Sequence, residues 1–233
     1  MKCFKTEITS DHIVSDKPLH ERLLFPYVQI ASQLKGEVLE LGCGWGRGVA
    51  HFQSDGIRYT GVDKNKVLID ELKIKHPDCH FKEVTLPDLS AFATHSFDHI
   101  IAFQVIEHIE DDELFLEEIH RILRPGGKLH LSTINRRFSI SRNPWHIREY
   151  DSIGLTVLLK MFFFVIQLSD TGTGFSLYIH IVKLSIEVFY SCHNGGLSEL
   201  CVNLPLIVLD IFFFKKKLSF LSSKEKKRKF FFY

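Results

Sequence analysis

The sequence lacks the features that would tie it to a metal, a disulfide framework or a nucleic acid. Its five cysteines are scattered and odd in number, and without a C-x-x-C pair they indicate neither a zinc site nor a disulfide scaffold. The net charge of +1 does not favour binding to nucleic acid. Residues 1–5 lack the apolar core of a signal peptide. We therefore expect a reducing, cytoplasmic setting and no nucleic-acid partner.

Two common nucleotide-binding motifs are missing as well, although the chain contains a glycine-rich loop. A dinucleotide fingerprint needs the pattern G-x-G-x-x-G. Counted from Gly42 the third glycine would fall at Arg47, and counted from Gly44 it would fall at Val49. The chain also has no G-K-[ST] sequence of a P-loop. A nicotinamide-dependent oxidoreductase is therefore disfavoured.

The glycine loop follows a short apolar run that contains an acidic residue. Residues 37–48 read E-V-L-E-L-G-C-G-W-G-R-G, and Glu40 lies near the end of a predicted strand. Glycine at every second position lets the backbone turn sharply off a strand and approach a ligand closely, because no Cβ intervenes. An acid at the strand end suits a ligand with a cationic group or hydroxyls better than a bare phosphate.

A second acidic residue, Asp63, follows the next predicted strand and lies 19 residues after Gly44. A carboxylate at about this distance from a glycine loop is placed to accept hydrogen bonds from both hydroxyls of a ribose. The alternative is a helix N-cap or a turn residue, because the polar residues 64–66 follow. In combination with the glycine loop, the position favours ribose binding.

Strands alternate with helices along the first two thirds of the chain. This alternation, in units of roughly 20–30 residues, indicates a doubly wound α/β sheet of parallel strands. Ligands in such sheets bind at the carboxyl ends of the strands, where Glu40 and Asp63 are expected. The predicted strands cover 38–41, 59–62, 81–84, 96–103 and 128–133, and the predicted helices cover 19–34, a stretch that starts at 49, 67–75 and 111–123.

The order of these motifs resembles the class I S-adenosylmethionine (SAM) dependent methyltransferases over about residues 12–168. The E-x-G-x-G-x-G sequence at 40–46 is similar to motif I of that family. Residues 123–127 are similar to its L-[KR]-P-G-G sequence before the fifth strand, and residues 132–135 resemble the S-T-P-N sequence that follows. The run N-P-W-H-I-R-E-Y at 143–150 is similar to a signature of small methyltransferases of the type 11 and ubiquinone-pathway kind.

The resemblance implies a Rossmann-like doubly wound sheet, mostly parallel with an antiparallel edge strand, preceded by a leading helix. It implies an N-terminal helical cap over 1–35, a SAM-binding methyltransferase domain over 36–168 and an atypical segment over 169–233. A closing hairpin is expected from 162–168 and 175–182. SAM is the implied cofactor, and a small molecule methylated at oxygen is the implied acceptor.

The resemblance also implies roles for the residues around the cofactor. Glu40 would order the glycine loop through backbone N–H groups, and Trp45 would wall the cofactor cleft, with core packing as the alternative. Arg22 would reach the SAM carboxylate, with a solvated helix face as the alternative. The expected cofactor-binding residues are Glu40, Gly42, Cys43, Gly44, Trp45, Gly46, Asp63, Lys64, Thr85 and Gln104.

Two departures from the family pattern affect the predicted site. The third strand of the family ends in an acid that contacts the adenine amine, whereas no acid is in register here, so Thr85 or the backbone is expected to make this contact. Related O-methyltransferases carry E-x-x-E-H after the fourth strand, proposed to hold a divalent metal, but Gln104 replaces the first carboxylate. Hard cations prefer several charged oxygens, and we therefore expect no metal. Gln104 is instead expected to touch the methionine part of SAM or the acceptor.

Methyl transfer to a hydroxyl benefits from a general base, and two histidines are candidates. His108 lies just beyond the fourth strand beside Glu107, which would orient it or raise its pKa. The alternative is that Glu107 and His108 cap the next helix or brace the loop. His146 is the second candidate, and its alternative is a structural residue of a lid in which Arg148 and Glu149 form a surface ion pair.

The composition changes after about residue 168. Twelve of the 21 phenylalanines lie beyond residue 150, and residues 215–229 contain eight basic side chains against one acidic side chain. The apolar stretch 197–214 contains Glu199 and Asp210, which argues against a membrane span. The basic end predicts weak contact with an anionic membrane surface. We interpret this segment as a frameshifted or degenerate ending.

Two functions of different classes follow from these observations. The first is a SAM-dependent methyltransferase that acts on a small molecule. The second is a SAM-binding protein in which the abnormal C-terminal half impairs or abolishes catalysis. Turnover of an acceptor distinguishes the two, because both would bind SAM.

Overall fold

The computed structural model of the protein describes residues 17–52, 54–139, 143–163, 165–170 and 176–182. Within these ranges no helix combines the length and the apolar content that crossing a bilayer requires. The predicted apolar stretch 197–214 and the basic run 215–229 lie outside the described residues. The predictions of membrane-surface contact and of a degenerate ending therefore stay predictions.

Five parallel strands form the centre of the sheet, as predicted. Neighbouring strands pair in parallel, for example Val38 beside Tyr59 and Leu39 beside Ile100, and the register between β4 and β5 shifts once, between Phe97 and His99. Their order is β3-β2-β1-β4-β5, so the order of connection reverses between β1 and β4. The strands are β1 (Gly36–Leu41), β2 (Ile57–Asp63), β3 (His80–Glu83), β4 (Phe97–Phe103) and β5 (Leu123–Ile134).

Two further strands extend the sheet beyond β5. Residues Ser176–Val182 (β7) pair antiparallel with β5, and residues Val165–Asp170 (β6) pair antiparallel with β7. The order of all seven strands is β3-β2-β1-β4-β5-β7-β6. The predicted strands at 162–168 and 175–182 overlap these two elements.

In the described part of the chain, four α-helices accompany the strands: α1 (Lys17–Ala31), α2 (Lys66–Lys75), α3 (Asp112–Ile122) and α4 (Ser152–Leu159). Side chains of β4 alternate between two buried clusters, since successive residues of a strand face opposite sides of the sheet. Ile100 and Ala102 pack in a cluster with α3 and α4, whereas Ile101 and Phe103 pack in a cluster with α1 and α2. Strand β4 is therefore buried on both faces, as expected for a central strand of a doubly wound fold.

Local signals in the sequence explain where α2 and α3 begin and end. The Asn65 side chain accepts hydrogen bonds from two N–H groups in the first turn of α2, and the Asp111 side chain accepts one from Leu114 N–H in the first turn of α3. The first turn of α3 is acidic and its last turn is basic, which stabilises the helix dipole. Helix α1 ends at Ala31, three residues before the predicted end.

The helix predicted from Val49 onward is wrong. Only a three-residue 3-10 turn, Val49–His51, follows the glycine loop. The hydrogen bonds here run from residue i to i−3, as from Val49 N to Gly46 O (3.1 Å) and from Phe52 N to Val49 O (3.1 Å). Glycine is costly inside an α-helix, so the glycine-rich stretch 42–48 favours these tighter turns.

Candidate active site

A cavity of about 1000 Å³ opens at the carboxyl ends of β1, β2 and β4. The strand order reverses between β1 and β4, which is the position where doubly wound sheets bind ligands. The glycine loop, the β2–α2 turn, the residues after β4 and part of α1 contribute to its wall. All the predicted site residues except Glu40 lie on this wall.

The glycine loop needs glycine for its backbone conformation. Gly42, Gly44 and Gly46 all have positive φ angles, of 71°, 51° and 75°. A Cβ on Gly42 would lie 2.7 Å from a methyl carbon of Val105, whereas a Cβ on Gly44 would meet no atom within 4 Å. Gly44 therefore presents bare backbone to the cavity, as close approach to a ligand requires.

Asp63 connects the glycine loop to the end of β2. Its Oδ2 accepts a hydrogen bond from Gly44 N–H at 3.0 Å, and its Oδ1 accepts one from Asn65 N–H at 2.8 Å. A carboxylate has about four acceptor sites, so two remain available for hydroxyls of a ligand. The helix N-cap is Asn65, so the N-cap alternative for Asp63 is wrong, whereas the bond from Asn65 N–H to Asp63 Oδ1 agrees with the alternative of a turn residue.

Glu40 does not take its predicted role. The carboxylate is buried and accepts hydrogen bonds from Tyr27 Oη at 2.6 Å and Tyr59 Oη at 2.5 Å. The N–H groups of Gly42 and Cys43 instead donate to Val62 O. Glu40 therefore braces β1 against α1 and β2 from behind the loop.

Burial also determines the protonation states of Glu40, Tyr27 and the loop residue Cys43. It raises the pKa of the Glu40 carboxyl to about 7, against the opposing effect of the two tyrosine hydrogen bonds. Burial, together with the charge of Glu40, raises the pKa of the Cys43 thiol and of the Tyr27 hydroxyl. Cys43 is therefore a neutral thiol at physiological pH and serves as a small wall residue.

The residues predicted near the ribose and adenine lie together around the ends of β2 and β3. Lys64 and Thr85 both line the cavity, and Val84 N donates to Asp63 O at 3.0 Å. Trp45 is half-buried and lies on the cavity wall, and Arg22 reaches the same wall from α1. The structure thus places these side chains where a cofactor could meet them.

Gln104 follows β4 in a strained conformation. Its φ angle is 57°, a backbone conformation that residues other than glycine rarely adopt. Its backbone N–H donates to Ser132 O at 2.9 Å, and its Nε2 donates to Ser132 Oγ at 3.1 Å. Such strain costs about 1–3 kcal/mol and is typical of functional sites.

Glu107 and His108 occupy the turn after Gln104. The buried Glu107 carboxylate accepts a hydrogen bond from Thr133 Oγ1 at 2.9 Å. The Nδ1 atom of His108 lies 2.9 Å from Trp145 O. The Trp145 carbonyl oxygen therefore holds His108 through Nδ1, and the orientation of His108 by Glu107 stays a prediction.

The segment 143–150 folds back over this turn and carries the second histidine. Its backbone bonds to Glu107 O, which accepts from Ile147 N at 2.9 Å. Arg148 forms an ion pair with Asp112, and the Nδ1 atom of His146 lies 3.0 Å from Glu149 Oε1. The predicted surface ion pair between Arg148 and Glu149 is therefore wrong, since each has another partner.

Glu107, His108 and His146 come together within the described part of the chain. One potential ligand atom from each lies within 4.8 Å of the others. Zinc bonds of about 2.0–2.2 Å place tetrahedral ligands only about 3.4 Å apart, so this spacing does not by itself make a closed metal site. The expectation that no metal is used stays a prediction.

Several cavity residues were not predicted from the sequence. Tyr27 and His20 come from α1, and Arg47 Nε donates to His20 Nδ1 at 3.3 Å across the cavity wall. Ser139 and Glu149 also line the cavity. The i, i+3 spacing of His146 and Glu149 in the sequence was a signal for the contact between their side chains. The positions of Tyr27, His20 and Ser139 in the cavity wall depend on packing between distant segments.

Comparison with known proteins agrees with this geometry. A protein family described as a methyltransferase domain matches residues 39–131, which run from β1 into β5. A protein of Mycolicibacterium smegmatis named as a probable S-adenosylmethionine-dependent methyltransferase is 35% identical over 185 residues, covering 75% of this chain and 62% of that protein. A ubiquinone biosynthesis O-methyltransferase of Coxiella burnetii is 33% identical over 134 residues, covering 52% of this chain and 55% of that protein.

Solved structures support the fold. The PH0226 protein of Pyrococcus horikoshii superposes with a TM-score of 0.58 at 22% identity, over 76% of this chain and 94% of that one. A SAM-dependent methyltransferase of Aquifex aeolicus superposes with a TM-score of 0.60 at 14% identity, over 73% and 97%. The chain spans only 62% and 55% of the two curated relatives named above. Residues 39–131 thus match the family described as a methyltransferase domain, and the fold around them is the one found in the solved SAM-dependent methyltransferase of A. aeolicus.

Proposed function

We propose that the protein binds SAM and transfers its methyl group to an oxygen atom of a small molecule. The observation that carries the proposal is the hydrogen bond between Asp63 and Gly44 N–H, in one cavity with two histidines. The bond places a carboxylate with remaining acceptor capacity beside bare loop backbone. SAM has a ribose with two hydroxyls and a methionine part, which suit these two features.

The residues of the chain would divide the cavity between cofactor and acceptor. Asp63 would accept the ribose hydroxyls, Thr85 would lie at the adenine, and Gln104 would contact the methionine part or the acceptor. The C. burnetii relative is named as an O-methyltransferase, which favours oxygen as the acceptor atom. His108 and His146 lie close enough to each other to act on one acceptor hydroxyl.

SAM supplies an activated methyl group when it is bound, so the chain itself must provide alignment and a place for the proton. Alignment of two reactants can contribute about 7–11 kcal/mol to lowering a barrier. A positioned general base contributes about 10²–10⁴-fold in addition. The glycine loop on the cavity wall and the half-buried histidines are suited to these two tasks.

The cysteine spacing favours a reducing compartment, and we propose the cytoplasm as the setting. No partner beyond the small-molecule acceptor is needed for the proposed reaction. The oxygen specificity, the compartment and the substrate class all belong to this proposal.

A turnover screen tests the proposed function. The full chain is incubated with SAM and a panel of phenols, quinone precursors and carboxylates, and products are analysed by mass spectrometry. We expect at least one phenol to gain a methyl group on oxygen. SAM binding without any methylated product would favour the alternative of a cofactor-binding protein, and methylation at carbon or nitrogen would contradict the oxygen assignment.

A further inference from the structure

Two histidines share the acceptor end of the cavity because the segment 143–150 folds back onto the β4–α3 turn. The rings of His108 and His146 lie edge to face, with centroids 5.0 Å apart. Ile147 N donates to Glu107 O, and Arg148 Nη2 donates to Glu110 O at 2.7 Å. The position of His146 thus depends on contacts with a turn nearly forty residues earlier in the chain.

The two histidines differ in the group that holds Nδ1. The partner of His108 Nδ1 is the Trp145 carbonyl oxygen at 2.9 Å, and the partner of His146 Nδ1 is the Glu149 carboxylate at 3.0 Å. Both partners only accept, so Nδ1 carries the hydrogen in each ring and Nε2 carries the lone pair of the neutral form. A carboxylate stabilises an imidazolium ion far better than a neutral carbonyl does.

The Glu149 carboxylate is itself held in place. Its Oε1 accepts a second hydrogen bond, from Ser139 Oγ at 3.2 Å. The side chains of His146 and Glu149 are only 8% and 11% exposed, so solvent screens their interaction weakly. We call these three hydrogen-bonded residues the Ser139–Glu149–His146 array. All of them line the cavity.

We propose that Glu149 is a positioning residue that makes His146 the proton acceptor of the methyl transfer, in preference to His108. This inference rests on the proposed function. Glu149 fixes the Nδ1–H tautomer of His146, directs Nε2 toward the acceptor and stabilises the imidazolium that forms. His108 packs against the His146 ring and holds Trp145 through its carbonyl.

The chemistry of the step is balanced without a further reagent. The acceptor oxygen forms a bond to the methyl carbon while the bond from that carbon to sulfur breaks, and the electron pair of the broken bond stays on sulfur. The hydroxyl proton passes to His146 Nε2. The imidazolium then loses a proton to water, which restores the neutral ring beside Glu149.

The first experiment observes the tautomer directly. Full-length protein labelled with ¹⁵N-histidine is studied by NMR in the presence of S-adenosylhomocysteine, and His146→Gln assigns the signal. We expect the Nδ1–H tautomer in the wild type and a mixture of tautomers in Glu149→Ala. An unchanged His146 signal in Glu149→Ala would overturn the inference.

The second experiment measures turnover with the phenol that the wild type methylates fastest among catechol, 4-hydroxybenzoate and 3,4-dihydroxybenzoate. We expect Glu149→Ala and His146→Gln to lower kcat about 100-fold, with acceptor KM changed less than about threefold. Glu149→Asp should recover part of the loss. The matched control is Glu117→Gln, an exposed carboxylate on α3 that should leave kcat unchanged.

Three outcomes would contradict the assignment. His108→Gln could abolish turnover while His146→Gln retains it, which would make His108 the base. A chelator could abolish turnover and Zn²⁺ restore it, which would make His146 a metal ligand. Glu149→Ala could keep kcat within twofold of wild type.

Calorimetric titration with SAM is run on the wild type and on each variant. Absence of SAM binding by the wild type would refute the proposed function itself. Normal SAM binding with a lowered kcat in a variant shows that the variant has lost the Ser139–Glu149–His146 array and not the cofactor site. If Glu149→Ala does not fold, Ser139→Ala removes one contact of the array and should lower kcat several-fold.

Discussion

Glu40 and Asp63 both lie at the ends of parallel strands beside the glycine loop, but only Asp63 faces the cavity. The Asp63 carboxylate bonds to loop N–H groups, whereas the Glu40 carboxylate bonds to two tyrosine hydroxyls in the core. The spacing of Asp63 from Gly44 was readable in the sequence because it reflects a local strand–loop–strand unit. The contact between Glu40 and Tyr27 could not be predicted from the sequence, because it depends on how α1 packs against the sheet.

The buried Glu40 predicts a specific pH dependence of stability. Burial raises its pKa from 4.5 to about 7, so the folded protein binds a proton that the unfolded chain has released across this range. The contribution of Glu40 to stability is therefore complete below about pH 4.5 and is lost as the pH rises through 7. The loss amounts to roughly 3 kcal/mol, since one pKa unit corresponds to about 1.4 kcal/mol.

The free energy of unfolding is measured in urea at pH 5 and pH 8, for the ligand-free wild type and for the variant Glu40→Gln. We expect the free energy of unfolding of the wild type to fall more steeply with pH than that of the variant. Parallel pH profiles of the two proteins would contradict a protonated Glu40.

At the scale of elements, strands and capped helices were predicted well because their signals are local. Apolar runs located the five parallel strands, and Asp111 with the charge pattern located α3. The helix after the glycine loop was predicted wrongly, since helical periodicity from Val49 was outweighed by the turn-forming glycines before it. The segment 143–150 was recognised as a motif, but its contacts depend on α3.

Asp112 fastens this segment to α3. Burial alone would raise the pKa of its carboxyl, but hydrogen bonds from Arg148 and Tyr150 hold that pKa below its usual range. We expect Asp112→Asn to release the segment, because a hydrogen bond to a charged group contributes about 1.5–3 kcal/mol. Hydrogen exchange of the Ile147 amide should accelerate about tenfold or more, and turnover should fall.

The matched control is Glu113→Gln, which removes a charge from the same first turn of α3. SAM affinity should stay within about twofold of wild type in both variants. Equal exchange of the Ile147 amide in wild type and Asp112→Asn would contradict the anchoring role.

At the scale of the whole molecule, the residues from β1 to the segment 143–150 form the part that the sequence predicted best. The parallel sheet, the leading helix and a cavity lined by nearly all the predicted site residues are observed. The acceptor specificity was harder to predict. The cavity wall is formed by α1, the residues after β5 and the turn after β4, which come together only in the folded chain. The chain matches only 62% and 55% of the two curated relatives, so their substrates do not transfer to it directly.

Binding of SAM by the glycine loop and Asp63 is measured by isothermal titration calorimetry of the full chain with SAM, S-adenosylhomocysteine and NADH. We predict binding of the first two at roughly micromolar Kd, no binding of NADH, and a loss of SAM affinity of about 100-fold or more in Asp63→Ala. The exposed Asp55→Ala should bind like wild type. Undiminished SAM binding by Asp63→Ala, or binding of NADH as tight as that of SAM, would contradict the account.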